Sequence, residues 1–271
     1  MNRALKFQQI SLILLSILTL SMHAQNKDRW QAGSANNLTG NVLFLVCYIS
    51  TPGDSWDNQE KDEILNKVRD AENWLTSQSE KFSVGISFEN VLLNDGKDII
   101  FDTIEPGLAS GKERVDWVFR VLKKLGYKNA KQSYRRIKKQ YKTDNIVVLI
   151  MSKGVGRPYS MRYAKGYSKK KYFMEGAIIY SSYPNGAPIP IAAVIAHELL
   201  HLYGAWDLYS TYAQTIERQQ KAQELYPNDI MLRVDHNINP LQINNLTAWL
   251  IGWNKNQENI FEWFRPSDYK K

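Results

Sequence analysis

Apolar residues fall along the chain in two rhythms. Val42 to Ile49 is an unbroken apolar run, and Ile146 to Ile150 is a second. Runs of this length bounded by polar turns predict strands covered on both faces. Gly176 to Ser182 predicts another strand, and the alternation of Val84, Ile86 and Phe88 predicts one more. The other rhythm is helical. Ile64, Leu65, Val68, Ala71, Trp74 and Leu75 recur at helical spacing after a turn at Thr51–Asp54. Val115, Val118, Phe119 and Leu122 mark a helix that Gly126 stops, and Ala130 to Lys142 is a strongly basic helix. Pro188 and Pro190 lead into a long helix from Ile191 to about Tyr203, and a last apolar helix lies near Leu246 to Trp253. Strands alternating with helices predict an α/β (α+β) fold around a mixed, twisted sheet, with a small, mostly helical or irregular part after Gly204.

The first 24 residues follow a different logic. Arg3 and Lys6 precede an eleven-residue stretch from Ile10 to Leu20, and Ser21-Met22-His23-Ala24 offers a cleavage site. That pattern predicts a secretory signal peptide, its apolar run too short for a membrane span, which needs about 20 apolar residues. The expected organisation is therefore a signal peptide at 1–24, a mobile polar lead at 25–40 and one domain at 41–271. Within the domain, an upper lobe covers about 41–204 and a lower lobe about 205–271. The protein is expected to be secreted or periplasmic, with no transmembrane anchor.

Composition changes the picture little. With 271 residues, 44% hydrophobic and 23% charged, the chain is globular rather than disordered or fibrous. The single cysteine, Cys47, excludes an internal disulfide framework and any Cys-rich metal module. Charge is more informative in its distribution than in its total of +8. Trp117 to Met174 holds 17 lysines and arginines against one acid, Asp144. Tyrosines interleave the block, so it suits an anionic partner; equally, Tyr134, Ile137 and Tyr141 form a helical stripe with the charges facing water. No nucleic-acid motif accompanies it, and none is expected as a partner. If the block flanks a cleft, acidic residues in a substrate are favoured.

The chemistry concentrates in His197-Glu198-Leu199-Leu200-His201-Leu202-Tyr203-Gly204-Ala205-Trp206-Asp207. Histidines at i and i+4 lie one turn apart on the same helix face, so both imidazoles reach one metal ion. Glu198 is placed to take a proton from water. Gly204 suits a left-handed helix end, which swings Asp207 back as a third ligand. His236 is the rival third ligand; Glu217 and Glu224 are weaker alternatives.

This segment resembles the metzincin clan of zinc metallopeptidases, with pattern H-E-x-x-H-x-x-G-x-x followed by a third ligand. Asp207 in that last place is similar to the snapalysin-type variant. Pro227-Asn228-Asp229-Ile230-Met231 resembles the clan's methionine-containing turn, giving Met231 the place of the Met-turn residue. The resemblance implies one catalytic Zn²⁺, a protein or peptide substrate, and Glu198-assisted attack of zinc-bound water on a peptide bond. His236 or Tyr209 is then free to polarise the substrate carbonyl. It also implies an edge strand that pairs with an extended peptide, from Tyr159–Tyr167 or from Tyr172–Ala177. The alternative from another class is a non-catalytic binding protein on the same scaffold, using the basic surface for anionic envelope or extracellular polymers.

Overall fold

The computed structural model describes residues 32–106, 116–211 and 213–267. The signal peptide expected at 1–24 and Val115 lie outside the described residues. At the centre is β1 (Gly40–Ser50), buried without a break from Val42 to Ser50. On one side it pairs in parallel with β2 (Ile86–Leu92) and with the short β3 (Ile99–Ile100). On the other side lies β4 (Ile146–Val155), followed by β6 (Glu175–Ser182), both parallel to it. The far edge is β5 (Tyr159–Met161), antiparallel to β6 with Tyr159 opposite Ile178. The result is a six-stranded, mostly parallel sheet in the order β2-β1-β4-β6-β5, and a mixed α/β fold. Of the two segments expected to supply an edge strand, Tyr159–Tyr167 contains it. Tyr172–Ala177 instead runs into β6, whose two neighbours are β4 and β5.

Continuous burial of parallel strands requires helices on both faces. One group is α1 (Asn58–Glu80), packed against α5 (Ile191–Leu202). The start of α1 is fixed by a capping box, in which Asp57 accepts from the Glu60 N–H and Glu60 accepts from the Asp57 N–H. Its apolar face, including Ile64, Val68, Ala71, Trp74 and Leu75, is buried. The other group is α2 (Trp117–Lys124), α3 (Ala130–Tyr141) and α4 (Lys169–Tyr172), which pack on one another. Past α5 the described chain holds α6 (Ile216–Leu225), α7 (Asn245–Leu250) and a 3-10 segment at Asn259–Phe264. The last apolar helix is shorter than its sequence pattern suggests, ending at Leu250 because Gly252 takes φ 85°.

The described part of the expected mobile lead is not loose. Ser34, Ala35 and Leu38 are fully buried. The Ser34 N–H donates to the Phe173 carbonyl, and the Ile146 N–H donates to that of Ser34. The Ala35 N–H donates to Glu175 Oε2 at 2.8 Å and the Trp253 indole to the Leu38 carbonyl at 2.7 Å. Polar residues conceal this anchoring, because hydrogen bonds rather than apolar periodicity hold the segment. Burial pushes the Glu175 carboxyl up to about 8, against the pull of the Tyr163 and Ala35 N–H groups and Arg162.

The basic block forms a solvated helix face. Helix α3 buries Ala130, Ser133, Tyr134 and Ile137, while Arg135, Arg136, Lys138 and Lys139 are exposed. The interleaved tyrosines are largely spent on packing: Tyr134 sits edge-on to Phe173 and Tyr163 is buried.

Candidate metal centre

Helix α5 is almost wholly buried from Ala192 to Leu202, so its apolar character all round suits a core position. It ends in a Schellman turn. The Ala205 N–H donates to the Leu200 carbonyl at 3.0 Å and the Gly204 N–H to that of His201 at 3.1 Å. Gly204 supplies the required positive φ, 107°. The turn reverses the chain so that Asp207 faces the helix it has just left. His197 Nε2 and His201 Nε2 are then 3.2 Å apart, and they stand 3.2 and 3.0 Å from Asp207 Oδ1.

Backbone carbonyls orient both rings. His201 Nδ1 lies 2.9 Å from the Ala205 carbonyl, and His197 Nδ1 lies 2.9 Å from the Ile230 carbonyl. A carbonyl can only accept, so each Nδ1 carries a proton and turns Nε2 toward Asp207, where a ring in its neutral form presents a bare nitrogen. Three lone pairs therefore converge, and the buried Asp207 Oδ1 has no hydrogen-bond donor. Positive charge among them, a metal ion or a proton, relieves that repulsion. Adjacent donors around a tetrahedral zinc with bonds of about 2.0–2.2 Å lie about 3.3–3.6 Å apart. The group fits such an ion with a few tenths of an ångström of movement. The electrostatics make the same demand. Burial opposes charge on His197, but Asp207, Glu198 and the Ile230 carbonyl outweigh it and raise the ring to about 9. Burial likewise opposes charge on Asp207, and the two imidazoles overcome it, holding the carboxyl well below its ordinary value.

His197, His201 and Asp207 are the one such donor group among the described residues. His236 is not brought to it: this histidine is exposed, on a loop where the Asn237 N–H turns back to Asp235 Oδ1. Glu217 and Glu224 are exposed on α6, and Glu224 pairs with Lys221 at 2.8 Å.

The turn predicted at Pro227–Met231 supports the site through its backbone. The Ile230 carbonyl orients His197, and the fully buried Met231 accepts from the Leu208 N–H at 2.9 Å. Thus the residue after Asp207 is pinned to the same turn that positions His197. Sequence reasoning missed the hub of this turn, Asp229. Its carboxylate accepts from the Met231 N–H at 2.8 Å, the Asn244 N–H at 3.0 Å and the Thr247 hydroxyl at 2.9 Å. Burial nonetheless raises its pKa, despite those donors. Replacing Asp229 with Ala leaves a buried N–H, a part-buried N–H and a buried hydroxyl without their partner, each costing about 1–3 kcal/mol when buried. The expected result is a loss of about 3–5 kcal/mol of folding stability, measured by urea unfolding. A variant within about 0.5 kcal/mol of wild type removes the hub role.

An open cleft of about 550 Å³ lies beside the donors, lined by His197 and Glu198 from α5, Tyr183 to Asn185 before it, and Tyr209. Glu198 makes no hydrogen bond or ion pair with another described side chain, so its carboxylate is available to the cleft. Tyr209 stacks on His197 at 6.1 Å between centroids. Burial, together with the charges of Asp207 and Glu198, raises its pKa, so the hydroxyl keeps its proton. His236 does not line the cleft. Of the basic block only Arg157 does; the other cation there, Arg233, lies outside the block.

No family model and no curated protein matches the chain. Among solved structures it is similar to the crystal structure of metalloproteinase-II from Bacteroides fragilis, with a TM-score of 0.38 and 15% sequence identity. The match covers 81% of this chain and 55% of that one, so the chain spans about half the length of the solved structure it resembles.

Proposed function

We propose that the protein is a secreted or periplasmic zinc endopeptidase of metzincin-like fold. The observation that carries this reading is the convergence of His197 Nε2, His201 Nε2 and Asp207 Oδ1 within 3.2 Å of one another, beside Glu198, which pairs with no other described side chain and lines a cleft. Two neutral imidazoles and a carboxylate are a zinc donor set that leaves a position open for chemistry. Zinc, when bound, supplies Lewis acidity that polarises water and the peptide carbonyl. Glu198 takes the proton from water in the cleft and delivers it to the leaving nitrogen. Tyr209, with its proton retained, donates toward the developing charge on the carbonyl oxygen. His197 and His201 stay oriented because their Nδ1 protons are held by backbone carbonyls. Met231 serves the site through the turn that carries the Ile230 carbonyl.

An extended peptide can lie along the outer side of β5, using main-chain hydrogen bonds. Arg157 and Pro158, immediately before that strand, line the cleft, so the edge leads into it. Among the described residues no helix is long and apolar enough to cross a membrane.

The test begins with protein exported by its own leader, expected to start at Gln25 by intact mass. It should carry about one zinc and cleave casein or gelatin, and a chelator should abolish the cleavage. A mature start elsewhere overturns the export reading, and hydrolysis indifferent to metal overturns the zinc reading. Metal removal has a second readout. A ligand present at 1,000 times its Kd stabilises the folded state by about 4 kcal/mol. For a domain of this size that is about 8–16 °C in Tm, restored by adding zinc. A melting curve indifferent to chelator shows that no tightly bound ion is part of the fold.

A further inference from the structure

The proposed chemistry leaves two cations in the cleft unused. Arg157 comes from the link between β4 and β5, two residues before Tyr159; Arg233 comes from a different segment, two residues after Met231. Both line the cleft that holds Glu198 and His197, whose other walls are apolar or uncharged except for Glu198 itself. Neither arginine is spent on a strong partner. Arg157 is exposed and forms no ion pair among the described residues. Arg233 meets Asp235 at 3.7 Å, with both side chains about half exposed, an arrangement worth little in water. Neither pairs with Glu198. On the wall of the cleft the Tyr183 hydroxyl, raised first by burial, is pushed up by Glu198 and drawn down by Arg157, so those two charges act at one point there.

A peptide passing Glu198 therefore enters a cleft that two guanidinium groups, supplied by different segments of the chain, also line. Guanidinium matches carboxylate in shape and charge, and a partly desolvated pair forms two parallel hydrogen bonds. We infer that Arg157 and Arg233 form a carboxylate-recognising subsite, selecting substrates that carry a carboxylate next to the scissile bond. That carboxylate is either an Asp or Glu side chain or the terminus of the substrate chain. This rests on the reading of the site as a peptidase. It moves the expected acidic preference from the basic block to two residues, only one of which belongs to the block. The helices bearing most of the block, α2 to α4, contribute nothing to the cleft lining.

The experiment compares twin peptides on the full mature chain. One pair has blocked ends and differs only by Glu against Gln beside the scissile bond. A second pair is neutral and differs by a free against an amidated C terminus close to that bond. Charge-assisted hydrogen bonds predict that wild type favours the carboxylate member of one pair about 10–100-fold in kcat/KM. The pair that responds identifies the source of the carboxylate. In Arg157→Ala/Arg233→Ala that ratio should fall to within about twofold of unity, and Arg157→Lys/Arg233→Lys should retain part of it. Equal rates within both pairs in wild type overturn the subsite, as does a preference that survives in the double alanine variant. The same peptides are titrated against Glu198→Gln, where Kd replaces rate. There the carboxylate member should bind at least about tenfold more tightly, and lose that advantage when both arginines become Ala. If wild type with zinc bound cleaves no peptide, the peptidase reading fails. Binding to Glu198→Gln then still decides the subsite: a tenfold ratio supports it and equal affinities overturn it.

Discussion

Replacing Glu198 with Gln is expected to lower kcat/KM on any cleaved peptide by about 10²–10⁴-fold while leaving bound zinc at about one per chain. Gln matches Glu in length and volume, so the buried α5 should keep its packing. What Gln lacks is the ability to accept a proton from water and pass it to the leaving nitrogen. Glu198 is not one of the three converging donors, and among the described residues it makes no ion pair that the substitution would break. Metal retention and loss of hydrolysis are thus separable, and both are measured: metal by mass spectrometry of the purified protein, hydrolysis by initial rates. Wild-type rates in Glu198→Gln would rule out the general-base role. Loss of zinc would show that Glu198 is itself a ligand, and the donor set would have to be redrawn. A melting temperature close to wild type guards against the trivial explanation of unfolding.

The elements most legible in the sequence are those whose burial leaves a rhythm. Val42–Ile49 and Ile146–Ile150 are strands because nothing but a two-sided core accepts such runs. The stripe from Ile64 to Leu75 is one face of α1. The helix end at Gly204 was also legible, because only a positive φ lets the chain turn back after two histidines that share a face. Less visible were elements stabilised by position rather than pattern. Strand β5 is three residues, Tyr159–Met161, too short for any alternation to register. Helix α6 buries only Ala222, so no apolar face announces it. The segment from Ser34 to Leu38 reads as polar lead, yet its backbone groups complete bonds to Phe173, Glu175, Ile146 and Trp253, all distant in sequence. The same limit applies at the site. Nothing local distinguishes Asp229 from a turn aspartate, or Arg233 from a surface arginine; their roles arise from residues far along the chain.

The choice between Asp207 and His236 as third donor turns on the backbone cap that ends α5, and it sets the other large expected effect. Asp207→Ala should lower zinc affinity by more than the roughly 10–100-fold typical of losing an outer hydrogen-bond partner of a ligand. It removes a donor outright, together with the negative charge that draws the cation between the two rings. Two imidazoles would remain, their Nδ1 protons still held by Ala205 and Ile230, but two neutral donors alone are not a closed zinc site. His236→Ala is the matched control and should leave affinity unchanged, because that exposed loop lies outside the donor group. Competition with a chelating dye gives both affinities on one scale. If His236→Ala strips the metal while Asp207→Ala keeps it, the loop must fold inward on binding and the geometry argued from the Schellman turn is wrong. If both variants hold zinc as wild type does, the two histidines recruit a donor from elsewhere. The expected outcome follows from the reversal of the chain at Gly204. That turn places the Ala205 carbonyl on one ring and Asp207 Oδ1 beside both, so the residues after the helix orient one imidazole and bring in the third candidate donor.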